Sequence, residues 1–345
     1  MTRRRLLSGC ALVVVASFVA AACSSDTVPL PTSSSSGTAE PASSTPGQDA
    51  TSLPTDSVEG SHTDVTTPPV LEPPFPTLTL DETFVDASRP TGATADAPAL
   101  PSRTLVTKVL YPDAPGPFPL IILAHGLVGS ADKLTRLGTA WATAGYVVAL
   151  PTFPLTSDAD PDVIAHEDDV ANQPADVSFI IDQLTALVAD DSSPMYGRID
   201  LSRIGIAGHS LGATTVYGVV FDDCCIDPRI GAAMIMSGTV EVSPGTTDYS
   251  RPLPVMTLHG DSDTELDIAE DLGIYAQLAG PKFFVTLIGG EHTTGFENAD
   301  SPYNALVEAT TTDFWNQYLS AVPGALDALR RDANVEGLST LQTDQ

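Results

Sequence analysis

The sequence predicts an α/β chain: a mostly parallel central sheet flanked by helices on both faces, with no large cap domain. Two observations predict the layers. From about Leu78 onward, short apolar runs alternate with longer segments of helical period, the pattern of strands joined by crossover helices. The only sizeable insertion between a strand and the next helix, about residues 152–172, is too short to form a cap domain. A third observation fixes one junction, since Gly208-His209-Ser210-Leu211-Gly212 falls between an apolar run and an apolar helix, where glycines at both ends allow a tight turn.

In chain order, residues 105–111 and 120–124 read as strands, and residues 131–144 as an amphipathic helix leading into a strand at 146–150. A helix follows at about 174–189, where Val177, Ile180, Ile181, Leu184 and Leu187 make one apolar stripe. Further strands are expected at 204–207, 232–236, 255–258 and 283–288, and a last helix at about 303–319. No internal repeat is present, and one domain at 75–345 accounts for this alternation.

The segments before that domain have other compositions. Arg3, Arg4 and Arg5 precede an apolar run at 11–22 that is too short to span a bilayer, so residues 1–22 read as a signal peptide. Ala20-Ala21-Ala22-Cys23 resembles the lipobox of bacterial lipoproteins, which implies lipidation of Cys23, a membrane anchor and an extracytoplasmic location. Residues 2–7 resemble a twin-arginine signal. Between Ser24 and Pro74, 29 of 51 residues are Ser, Thr or Pro, too few apolar groups to offset chain entropy, so residues 23–74 are expected to be a disordered tether.

The chain carries 15 Lys and Arg against 44 Asp and Glu, a formal charge of -29. A polyanion is repelled by phosphate backbones, which excludes nucleic acid as a partner. After processing, only the neighbours Cys224 and Cys225 remain. Two buried free thiols are expected there, with a vicinal disulfide as the alternative.

The turn at 208–212 would expose Ser210 Oγ at the N-terminal end of a helix. Serine is a weak nucleophile at neutral pH, so it needs a base within hydrogen-bond reach and a carboxylate to orient that base. In this architecture the acid and then the histidine follow the serine in the chain. Of six histidines, His62 lies in the tether, His125, His166 and His209 precede the acid, and His259 abuts the acid loop. His292 remains, in a glycine-rich loop after a strand. Asp261, Asp263 and Asp267 compete for the acid; Asp263 is preferred and Asp261 is the alternative. An oxyanion needs two backbone N–H donors, expected from Leu211 and Leu127. His125 and His259 are expected to fix loop ends.

Together, the turn around Ser210, the His125-Gly126 loop, the Gly260-x-x-Asp263 loop and the Gly290-x-His292 loop resemble the α/β-hydrolase superfamily, from roughly Thr83 to Tyr318. Asp86-x-x-Arg89-Pro90-Thr91, Tyr111-Pro112 and Gln173-Pro174-Ala175-Asp176 are similar to its bacterial branch near platelet-activating-factor acetylhydrolases, chlorophyllases and dienelactone-hydrolase-like esterases. The resemblance implies a serine hydrolase that cleaves carboxylic esters (esterase, lipase or polyesterase) without a cofactor. Dienelactone hydrolases use a Cys nucleophile, and Ser210 departs from that. Acyl transfer, peptide cleavage or non-catalytic lipid binding are the competing functions. Among the acidic residues from Asp158 to Asp169 no metal site is expected, because Val163 stands where a calcium loop starting at Asp158 needs glycine.

Overall fold

The computed structural model describes residues 72–344, apart from 96, 159–163 and 241–244. The expected signal peptide, the Cys23 lipidation site and nearly all of the tether lie outside the described residues.

Apolar strands build the centre. β3 (Phe118–Ala124), β4 (Val147–Thr152), β6 (Ile230–Met236), β7 (Val255–Gly260) and β8 (Lys282–Leu287) are almost wholly buried, as expected of parallel strands covered on both faces. With β1 (Thr77–Asp86), β2 (Arg103–Pro112), β5 (Ile199–His209) and β9 (Ser339–Asp344) they form one nine-stranded sheet in the order β1-β2-β4-β3-β5-β6-β7-β8-β9. Strands β3 to β8 pair in parallel, while β1, β2 and β9 run antiparallel to their neighbours. This is the α/β-hydrolase fold.

Helices cover both faces. On one, α2 (Gln173–Ala189), α3 (Leu211–Phe221) and α4 (Ile268–Gln277) pack through Val177, Ile180, Val216, Val220 and Ile274. On the other, α1 (Thr135–Thr143), α5 (Asn304–Tyr318) and α6 (Ala325–Asp332) contribute Leu137, Trp141, Val307, Phe314, Trp315 and Leu329. Trp141 and Trp315 meet edge to face at 5.6 Å, and Trp141 Nε1 donates to Thr311 Oγ1 at 2.9 Å. Every residue of α3 is buried, so that helix is apolar all round because it has no solvent face.

The expected strands and helices all form, within a few residues at their ends. The helix expected at 131–144 starts as a 3-10 turn at Ala131–Leu134 before α1. The helix at 303–319 is not the last element, since α6 and β9 follow it. β9 is polar and mostly exposed, an edge strand with no apolar alternation to read. Cys224 and Cys225 are disulfide-bonded, with Cys224 exposed and Cys225 half-buried, so the expectation of two buried thiols is corrected: the loop after α3 leaves both near solvent.

The motifs at 86–91 and 173–176 meet in one buried ion cluster. Arg103, fully buried, donates Nε and Nη2 to Asp176 at 2.8 and 2.6 Å, and Nη1 and Nη2 to Asp169 at 3.0 and 2.9 Å. Arg89 bridges Asp86 and Asp176 at 2.6 and 2.7 Å. The cluster pins the start of α2 to β1 and β2.

Candidate active site

The sharp turn forms where β5 runs into α3. Ser210 has φ 56° and ψ -122°, a left-handed backbone that a non-glycine residue adopts only at a cost of about 1–3 kcal/mol. Its N–H donates to Met236 O at 2.9 Å. The flanking glycines are required by close approach: a Cβ on Gly208 would lie 2.1 Å from Gly212 O, and one on Gly212 would lie 2.3 Å from Ala124 O. The end of β3 and the start of α3 are therefore in backbone contact. Ser210 Oγ points to that side, since a Cβ on Gly126 would sit 3.4 Å from it.

His292, from the loop after β8, and Asp263, from the loop after β7, are joined by a hydrogen bond from Nδ1 to Oδ2 of 2.7 Å. Asp263 Oδ1 accepts the N–H groups of Glu265 and Leu266 at 2.8 and 3.0 Å. Burial works to raise the Asp263 carboxyl, but the hydrogen bonds from Leu266, His292 and Glu265 outweigh it and hold it below 3.8. Asp263 is therefore an anion at neutral pH. The other two aspartates are occupied: Asp261 Oδ1 accepts Gly289 N–H at 2.6 Å, and Asp267 caps α4 through Ala269 N–H at 2.9 Å. Of the three, Asp263 alone contacts His292.

With Nδ1–H given to Asp263, His292 presents Nε2 to a cavity of about 490 Å³ that Ser210, Leu211, Leu127, His209, Lys133, Glu265 and Glu297 also line. Among the described residues no hydrogen bond joins Ser210 Oγ to His292, and the nearest carboxylate to Nε2 is Glu265 Oε2 at 4.0 Å. Serine and imidazole thus line one cavity, with Asp263 buried behind the imidazole, the His–Asp contact made and the Ser–His contact open. The backbone N–H groups of Leu127 and Leu211 have no hydrogen-bond partner among the described residues. For Leu211 the reason is its place at the first position of α3, where no intrahelical acceptor exists.

The other histidines are fixed by their partners. His125 Nε2 accepts Phe153 N–H at 3.0 Å, so its proton is on Nδ1, which donates to Gly126 O at 2.7 Å. It ties the ends of β3 and β4, as expected, and burial lowers it to about 4. His209 Nε2 donates to the carbonyl of His292 at 2.9 Å, joining the serine turn to the histidine loop. Burial, and next the charge of His292, lower it to about 4. His259 ties the loop after β7 through Leu266 O at 3.3 Å, as expected, and also faces two carboxylates. Its Nδ1 lies 2.7 Å from Asp271 Oδ2 and its Nε2 3.2 Å from Asp263 Oδ2, so it stands directly behind the acid. Asp271, on α4, was not legible as a site neighbour: it sits eight residues past Asp263, in a stretch with no motif.

No group of three or more potential metal ligands occurs among the described residues.

The architecture and the site define a class of fold rather than a single chemistry. No protein-family model matches the chain, and no curated protein sequence does. Among solved structures, 1136 chains match; a fold so widely shared does not choose a reaction. One of them, a ferulic acid esterase from Streptomyces cinnamoneus, is 21% identical with a TM-score of 0.60, covering 73% of this chain and 92% of that one.

Proposed function

We propose that the chain is a serine hydrolase that cleaves carboxylic esters through an acyl-enzyme on Ser210. The observation that carries the reading is the 2.7 Å bond from His292 Nδ1 to the ionised Asp263, which leaves Nε2 as a bare lone pair facing the cavity that holds the Ser210 turn. As the Ser210 hydroxyl attacks an ester carbonyl, its proton passes to His292 Nε2, and Asp263 stabilises the imidazolium. The carbonyl oxygen takes up the negative charge and accepts hydrogen bonds donated by the N–H groups of Leu127 and Leu211; one such donor is worth about 3 kcal/mol of barrier. His292 then protonates the leaving alcohol, and a water molecule deprotonated by the same ring releases the acid. Rotation of Ser210 Oγ from its position beside Gly126 toward His292 closes the open half of the relay, a step that substrate-free sites commonly leave undone. A carboxylic ester is also the substrate class in the ferulic acid esterase's name. The Cys23 lipobox and the preceding segment support an envelope-anchored location, and loss of membrane-fraction recovery in Cys23→Ser tests it.

The test is labelling by a fluorophosphonate together with hydrolysis of a panel of p-nitrophenyl esters, triglycerides and an aromatic polyester. Labelling and turnover in the wild type, both absent in Ser210→Ala, are expected. A wild-type chain that is folded but unlabelled overturns the proposal.

A further inference from the structure

Asp263 serves two imidazoles. Its Oδ2 accepts from His292 on the cavity side at 2.7 Å, and on the interior side His259 Nε2 stands 3.2 Å from the same oxygen, close enough for a charge interaction. His259 is fully buried at the end of β7, and Leu266 O lies 3.3 Å from the same Nε2. A carbonyl oxygen can only accept, so Nε2 carries a proton. The other ring nitrogen, Nδ1, faces Asp271 Oδ2 at 2.7 Å. That carboxyl is itself fully buried and already receives two donors, Gly238 N–H on Oδ2 at 3.0 Å and Tyr217 O–H on Oδ1 at 3.1 Å. Burial pushes the Tyr217 phenol well above its usual range, so it stays a donor. A carboxyl receiving two donors is stabilised as the anion, and an anion facing Nδ1 requires a proton there too.

We infer that His259 is a buried imidazolium, held between Asp271 and Asp263, which acts as a positioning residue for Asp263 and limits how strongly that carboxylate binds a proton on His292. The inference rests on the Ser210–His292–Asp263 reading above. Burial by itself would lower the ring, but the hydrogen bond and charge of Asp271 and the charge of Asp263 outweigh it and raise His259 above 6.5. The charged and titratable groups around the pair are few. Asp263 and Asp271 face His259, with Tyr217 behind Asp271. Asp263, Glu265, His209 and Glu297 surround His292.

The physical consequence concerns basicity. In a relay with one imidazole, the full carboxylate charge favours the protonated base and makes it slow to release its proton. Sharing Oδ2 with a second cation removes part of that attraction, so the base remains free at lower pH. The cation also gives Asp263 a third direction of restraint, beyond the two backbone N–H groups and His292, fixing the carboxylate plane.

Two measurements test this. The first is independent of catalysis: nitrogen NMR of histidine-labelled protein with fluorophosphonate-free enzyme, His259 being assigned by its loss in His259→Gln. Both ring nitrogens are expected to keep their protons as the pH rises past the ordinary histidine range. A neutral ring at pH 7 overturns the inference, whatever the fate of the serine proposal. The second is the pH profile of kcat/KM in His259→Gln and in His259→Gln/Asp271→Asn, the double variant removing the stranded carboxylate in case the single one fails to fold. The acidic limb is expected to move up in His259→Gln, because a cation beside Asp263 is deleted, and to move up less in the double variant, where the Asp271 charge goes with it, with KM changing far less than kcat at low pH. An unmoved acidic limb in a folded variant overturns it. Absence of fluorophosphonate labelling in the wild type would instead sink the serine reading while leaving the NMR result to decide the charge of His259.

Discussion

Two buried charge clusters among the described residues differ in one property. At the β1/β2 end, the cation is Arg103, with all three guanidinium nitrogens spent on Asp169 and Asp176. Beneath the Ser210 cavity, the row Asp271, His259, Asp263, His292 is built from similar pairings and distances. A guanidinium does not release its proton in a protein, so the first cluster can only hold α2 against the sheet. An imidazole can, and the second cluster ends in a ring nitrogen open to the cavity. Equal burial and pairing therefore give a clamp in one place and proposed proton-transfer machinery in the other; the titratability of the last cation makes the difference.

The largest effect expected from this contrast is on rate. Asp263→Asn should lower kcat by about 10⁴-fold while leaving the melting temperature close to wild type, because the amide can hold the wrong tautomer of His292; steady-state kinetics beside a thermal melt checks both. Retention of activity in Asp263→Asn with loss in Asp261→Asn would break the comparison at its functional end. Arg103→Met should do the reverse. It strands Asp169 and Asp176 without their cation and should cost about 3–5 kcal/mol of stability by denaturant titration, with kcat of the folded fraction near wild type.

A smaller effect separates the histidines. His125 and His209 are lowered from 6.5 to about 4 in the fold, so between those values the unfolded chain binds more protons. Stability should therefore fall as pH drops from about 6.5 to about 4, by up to on the order of 3 kcal/mol per ring. Melting curves across that window check it, and His125→Gln should flatten the slope. His259, raised above 6.5, has the opposite sign: its contribution is complete below 6.5 and is lost as pH rises through its folded value. The smallest effect belongs to the vicinal disulfide. Cys224→Ser/Cys225→Ser should change stability by only about 1 kcal/mol, since a bridge between chain neighbours closes almost no loop.

Local pattern was enough for the layers and for the three loops. The apolar runs of β3, β6, β7 and β8 must be covered on both faces, and the stripe on α2 must face a sheet. Gly208 and Gly212 announce a backbone crossing that a Cβ would block. The choice of Asp263 over Asp261 and Asp267 came from spacing to Gly260; in the structure Asp263 bonds His292, while Asp261 and Asp267 bond backbone N–H groups. What escaped the sequence was polar or lay far apart in the chain. β9 has little apolar period because it sits at the sheet edge, and α6 is only eight residues long, with Ala325 and Leu329 as its buried face. Arg103 meets Asp169 and Asp176 across 66 and 73 residues, and His259 meets Asp271 across a loop and one turn of helix.

By itself, then, the amino-acid order determined which segments are strands and helices, and which side chains are candidates for the proposed acyl chemistry, because periodicity, turn glycines and intrinsic reactivity are properties of short stretches. Tertiary structure alone decided which carboxylate stands beside which cation, which imidazole is buried between two acids, and that the serine and its histidine line one cavity without yet touching. Those outcomes depend on distances between residues remote in the chain, and on the burial that sets each group's charge, and neither exists until the sheet has closed around them.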